Sequence, residues 1–233
     1  MSISIGPSFY YYWNNLDENS GRILSYPADV GLDSTNVYTS KFYVGGHLAF
    51  RFSTMQNDLL PVKGITWSTG LISLASVTST GLPVTRLSSD LSLYAPLSSN
   101  RRFTFVLHTG GGHIFSDNFE YFQALTLGAN NFLRGYRKNR FSGSTMAYAS
   151  TELRMRLFKL QSRILPGDFG LVGFNDLGRV WIKPEHSGKW HSSQGGGIYF
   201  TPFNLVMLSA LVARSEEETL FNLSIGTRLN VTF

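Results

Sequence analysis

The stretch TLFNLSIGTRLNVTF, residues 219–233, closes the chain and decides the reading of its fold. Its odd-numbered positions carry Thr, Phe, Leu, Ile, Thr, Leu, Val and Phe. Its even-numbered positions carry Leu, Asn, Ser, Gly, Arg, Asn and Thr. Successive side chains of a β-strand point to opposite faces, so this period of two gives one apolar and one polar face. A strand of about ten residues is what a tilted crossing of a bilayer requires, whereas strands of soluble domains average about five to six.

Working back towards the N-terminus, the same pattern recurs. In 41–54, Phe42, Val44, Leu48, Phe50 and Phe52 oppose Lys41, His47, Arg51 and Ser53. Leu87, Leu91, Leu93 and Ala95 oppose Arg86, Ser88, Asp90 and Ser92. In 145–157, Ala147, Ala149, Leu153, Met155 and Leu157 oppose Tyr148, Ser150, Glu152, Arg154 and Arg156. Further strands are expected over 2–13, 63–77, 102–115, 169–182, 191–201 and 205–214, although 169–182 offers no clean face. That makes ten strands, joined by short turns such as 201–204 and by long connections over 14–40, 116–144 and 183–190. Such alternation of short and long connections is typical of an antiparallel transmembrane β-barrel with periplasmic turns and extracellular loops.

Composition agrees. Of the 233 residues, 15% are charged and 14% aromatic, with 23 glycines and no cysteine. Few charges and many aromatics suit a surface in lipid with aromatic girdles, though a soluble lipocalin-like barrel would share them. The lack of cysteine excludes disulfides, thiolate metal sites and cysteine nucleophiles. A net charge of +5 fits anionic headgroups, and no basic cluster dense enough for nucleic acid appears. No window of about 20 apolar residues provides a transmembrane helix. The first residues, MSISIGPSFYYYW, lack the charged and apolar regions of a signal peptide. An exported precursor is therefore expected to carry a leader, with Met1 an added start. The chain, 1–233, reads as one barrel domain.

The connection 116–144 contains FLRGYRKNRFSG, from Phe132 to Gly143. Within it, Leu133-Arg134-Gly135-Tyr136 resembles the (V/I/L)-R-G-(F/Y) motif of the sixth extracellular loop in the BamA/TamA outer-membrane assembly-factor family (bacterial surface antigen family). The next strand, MAYASTELRMRLF, is similar to the family strand with a glutamate facing the lumen, here Glu152. The following one, FGLVGFNDLGRVW, is similar to the family's F-x-D-x-G pattern, placing Asp176 and Gly178 at the matching positions. The terminal Phe233 after an amphipathic strand looks like the β-signal of outer-membrane proteins. The resemblance rests on these motifs in the second half of the chain and on strand pattern in the first.

The resemblance implies a loop folded into the lumen, its arginine paired with acids on the inner wall. It implies a role in inserting β-barrel proteins into the outer membrane or exporting protein across it, with no cofactor and no covalent chemistry. Expected partners are outer-membrane lipid and lipopolysaccharide, and unfolded outer-membrane clients or other assembly subunits. Physically, a desolvated guanidinium needs paired carboxylates and its planar fork binds them bidentately. From the residues alone, the simpler reading of Arg134 is a solvated loop residue, with Glu152 paired to Arg154 or Arg156 and Asp176 in a turn.

The family barrel has sixteen strands preceded by POTRA modules; this chain shows ten strands and no such modules. It is then either a portion of a larger barrel or a small self-closed one. Closure is expected, because long unpaired edges invite aggregation. A membrane anchor or narrow pore without assembly activity is the alternative function. An outer-membrane enzyme would need a nucleophile and base, and no such pair stands out. His47, His108 and His113 lack metal-ligand spacing. Gly110–Gly112 and Gly195–Gly197 mark bends or close backbone approach within strands, and Glu216–Glu218 a solvated hairpin tip.

Overall fold

The computed structural model describes residues 1–15, 18, 34–55, 59–129, 131–182 and 188–227. Ten long strands form one antiparallel sheet in which each strand pairs with its neighbours in sequence. They are β1 (Ser2–Tyr12), β2 (Lys41–Ser53), β3 (Gly64–Ser76), β4 (Val84–Pro96), β5 (Phe103–Ile114), β8 (Thr145–Leu160), β9 (Gly167–Trp181), β10 (His191–Pro202), β11 (Val206–Ser215) and β12 (Thr219–Thr227). The connection between β5 and β8 contributes a separate hairpin of β6 (Leu125–Leu127) and β7 (Phe141–Gly143). Three-residue strands leave no mark in the sequence, because so short a segment carries no readable period.

One face of the sheet is an apolar belt. Leu48, Trp67, Leu91, Leu153, Leu171, Leu177, Ile198, Leu208 and Phe221 are all exposed on it. A band of this breadth exceeds the apolar patches of soluble monomers and fits a lipid-facing wall. The other face is concave. The β5–β8 connection touches Tyr12 on β1 at one end and Asn222 on β12 at the other. Ten strands laid flat would span roughly 40 Å at the usual inter-strand spacing, so the sheet must curl for one loop to touch both edges.

The expected closure is not found. Among the described residues β1 pairs only with β2 and β12 only with β11. The concave side supplies a physical reason. Eight strands already give a lumen that side chains alone can fill, and ten give one only slightly wider. Here that side holds a whole loop with its own hairpin. From the opposite end, Leu60 of the β2–β3 connection packs against Val172, Phe174, Tyr199, Leu211 and Ala213. Phe233, expected as a terminal signal, lies outside the described residues.

Two local departures have clear causes. A bulge in β8 between Arg156 and Phe158 leaves Leu157 out of register with β9. The bulge reverses the parity, so Phe158, 54% exposed, takes the outward position that alternation assigned to Leu157. Strand β9 does alternate, with Val172, Phe174 and Asp176 buried and Leu171 and Leu177 exposed. Its sequence shows no clean face because the loop covers its inner side, so apolar residues occupy both faces. The triple glycines are close-approach points: a Cβ on Gly111 would lie 2.6 Å from Met146 O, and one on Gly197 2.0 Å from Ala210 O.

Candidate functional site

The site is built where the loop meets β8, β9 and β10. Leu133–Tyr136 forms a turn closed by Tyr136 N–H donating to Leu133 O at 3.1 Å. Leu133 and Tyr136 are fully buried, and Tyr136 Oη donates to Ser192 O on β10 at 3.2 Å. Just before the turn, Phe132 takes a positive φ of 60° and stacks on Tyr148 of β8 at 4.4 Å. These side chains fasten the turn on both flanks and leave Arg134 facing the wall.

Arg134 meets that wall with nearly its whole donor set. Its backbone N–H and its Nε each donate to Asp176 Oδ2 at 3.0 Å, and Nη2 donates to Asp176 Oδ1 at 2.6 Å. Nη1 donates to Glu152 Oε1 at 2.6 Å, and Nη2 also donates to Ser150 Oγ at 2.9 Å. The guanidinium lies 3.6 Å from the centroid of the Phe174 ring, a contact worth about 2 kcal/mol when desolvated. Asp176 is completely buried and accepts further bonds from Ser150 Oγ at 2.7 Å and Ser193 Oγ at 3.2 Å. Glu152 Oε2 accepts two bonds from Arg154, at 2.9 and 2.7 Å. Glu152 is therefore shared between the loop arginine and a neighbour on its own strand. The cluster is balanced, with two cations, two anions and hydroxyls on the remaining lone pairs. Buried ions require this if their desolvation is to be offset.

Small residues permit the close approach. A Cβ on Gly135 would come within 2.7 Å of Ser193 Cβ and 3.0 Å of the Arg214 carbonyl carbon. Gly135 N–H donates to Ser193 Oγ at 3.1 Å. A Cβ on Gly178 would meet Leu127 at 3.0 Å and Leu133 at 3.2 Å. The expected residues Leu133, Arg134, Gly135, Tyr136, Glu152, Asp176 and Gly178 thus fall in one cluster. Ser150, Ser193, Phe174 and Asn222 join them without having been singled out, since a lone serine or phenylalanine in a strand carries no distinguishing signal.

The loop is held at two further places. Lys41 of β2 and Glu120 form an ion pair at 2.7 Å with side chains 1% and 9% exposed. Beside it Tyr12 stacks on Phe122 at 4.0 Å and hydrogen-bonds Tyr121. At the other end the 216–218 tip, expected to be solvated, pairs with three cations: Glu216 with Lys189 at 2.5 Å, Glu217 with Arg140 at 2.8 Å and Glu218 with Arg137 at 3.0 Å. The hydrogen bond from Lys189, with its charge, holds the Glu216 carboxyl below its ordinary range. Among the described residues no group of His, Cys, Asp and Glu could hold a metal. His47, His108 and His113 instead share hydrogen bonds with Ser8, Ser92 and Thr145 on adjacent strands, at 3.0, 2.8 and 2.7 Å.

Against known proteins, residues 6–229 match the Omp85 superfamily domain. Comparison with curated proteins finds no match. Among solved structures, the chain is similar to BamA from Haemophilus ducreyi lacking POTRA domains 1-3, with a TM-score of 0.65 and 14% identity. The likeness covers 81% of this chain and 43% of that one, so this chain spans less than half of the compared structure.

Proposed function

We propose that this chain, which belongs to the Omp85 superfamily, serves in the insertion of β-barrel proteins into the outer membrane or the translocation of protein across it. The family is one of outer-membrane β-barrels, and the fold here is of that type. The observation carrying the reading is the Arg134 cluster, which ties the loop to β8, β9 and β10. Asn222 Nδ2 extends it to β12 by donating to Arg134 O at 3.0 Å. In this reading the residues from Leu133 to Tyr136 are a latch. They hold the loop against the wall while the edges of the sheet stay available.

An edge strand presents unpaired N–H and C=O groups to which an extended segment can add by main-chain hydrogen bonds. The partners in this reading are an unfolded outer-membrane protein, the surrounding lipid and lipopolysaccharide, and other assembly subunits. Residues 1–233 act as one barrel unit. No cofactor and no covalent step are needed. Reconstitution of the natural full-length protein into vesicles, with a protease-sensitive β-barrel client added, tests the reading. Wild type is expected to speed client folding over empty vesicles, and Arg134→Ala to lower that rate about tenfold or more, the scale of losing a buried charged bond. Equal rates with and without the protein would favour a membrane anchor or narrow pore.

A further inference from the structure

At the end of the concave face opposite the loop lies a cavity of about 80 Å³. Leu60, Pro61 and Val62 of the β2–β3 connection form one wall, and Thr104, Asp168 and Tyr199 lie on the strands. Its cationic lining is entirely arginine: Arg101, Arg102, Arg154 and Arg156. Arg154 is occupied by Glu152. Arg101, Arg102 and Arg156 make no ion pair among the described residues, and Arg156 donates only weakly, to Asn100 O at 3.5 Å. Against these three stands one acid, Asp168, so the cavity holds a surplus of two positive charges. Arg101, Arg102 and Arg156 are exposed, and like charges lining one small space favour an anion between them. Their planar forks are suited to phosphate and carboxylate oxygens.

A second feature narrows the ligand. Asp168 Oδ1 is buried and has no hydrogen-bond donor. A bare oxyanion would leave that acceptor unmet and add repulsion. An anion that also carries a hydroxyl would satisfy both needs, its charge facing the arginines and its O–H facing Asp168.

We propose that this cavity binds a phosphate group bearing a hydroxyl donor, at the end of the sheet away from the loop. Hydrogen phosphate and the phosphoglycerol headgroup of a lipid share that chemistry. The site shares Arg154 with the Arg134 cluster through Glu152, but it does not depend on the assembly reading.

Calorimetric titration of the detergent-folded protein at neutral pH tests this with four probes: inorganic phosphate, sulfate, short-chain phosphatidylglycerol and an acidic peptide. Phosphate or phosphatidylglycerol is expected to bind, and whichever of the two binds identifies the source. Sulfate, equal in charge to hydrogen phosphate but without a hydroxyl, is expected to bind several-fold more weakly. The double variant Arg101→Asn/Arg102→Gln is expected to lower affinity about tenfold or more, as loss of two charge-assisted contacts requires. Asn is chosen at 101 because Arg101 has a φ of 53°, a conformation Asn tolerates. Asp168→Asn is expected to erase the preference for phosphate over sulfate, whereas Lys138→Gln, an exposed residue of the β5–β8 loop, is expected to change nothing. Heat-modifiable gel mobility verifies that each variant folds. No binding of phosphate or phosphatidylglycerol, undiminished binding in the double variant, equal binding of sulfate, or binding of the acidic peptide alone would each overturn the proposal.

Discussion

The loop between β5 and β8 is attached at two ends in two different ways. At one end, Arg134 spreads its charge over two carboxylates, two of its contacts reinforced by serine hydroxyls and an aromatic face. At the other, Lys41 and Glu120 form a single buried pair flanked by Tyr12, Tyr121 and Phe122. The first is a network whose members hold one another in place; the second is one contact set in an apolar frame. Networks lose more when one member goes, because every remaining partner is left desolvated and unpaired.

That difference sets an order of expected effects. Arg134→Ala should be the most damaging, costing about 3–5 kcal/mol, because it strands Asp176 and half of Glu152 in a buried site. Limited proteolysis within 132–143 would report it as new cleavage, and Arg134→Lys should give partial protection, since Lys keeps the charge but loses the fork. Glu120→Gln comes next, as a broken buried pair costs up to a similar amount but has fewer dependents. The paired replacement Lys41→Met/Glu120→Leu sharpens the contrast. It should recover most of the stability, measured by urea unfolding, because apolar residues suit that frame. No such double replacement should rescue the Arg134 end.

Gly135→Ala is expected to cost about 1–3 kcal/mol by overpacking, since its new methyl would meet Ser193 and the Arg214 backbone. Ser193→Gly in the same chain should relieve part of that loss. The smallest effect belongs to the exposed tip. Glu216 has its carboxyl lowered by Lys189, so its contribution is fully present above the unfolded carboxylate range and fades as pH falls through the depressed folded value. A modest loosening of the tip below pH 4.5, seen by NMR of 216–218, checks this; Lys189→Gln should remove it.

The two ends were also unequally visible in the sequence. Arg134, Glu152 and Asp176 stand in short motifs whose order along the chain could be matched, and the structure places all three within hydrogen-bond reach. Lys41 and Glu120 carry no such mark. Lys41 reads as one more polar-face residue, Glu120 as one charge in a long connection, and their meeting depends on the curl of the four strands β2 to β5. The fold was more legible than the site, because period two survives wherever one side of a strand faces lipid. It failed in β9, where the loop makes the inner face apolar too, and at Leu157, where one inserted residue reverses the parity. Closure is hidden from the sequence for a related reason. Strand count can be read from a sequence, but the bulk of what lies inside the curve cannot.

The loop stacks on Tyr12 in the first strand and accepts a bond from Asn222 in the last, so it straddles the gap between the two free margins of the wall. Any change in the width of that gap must stretch or release one of these two touch points. The loop therefore works as a calliper whose jaws rest on opposite lips of the opening. A fluorophore near Phe122 would register their separation without ever being placed on either lip.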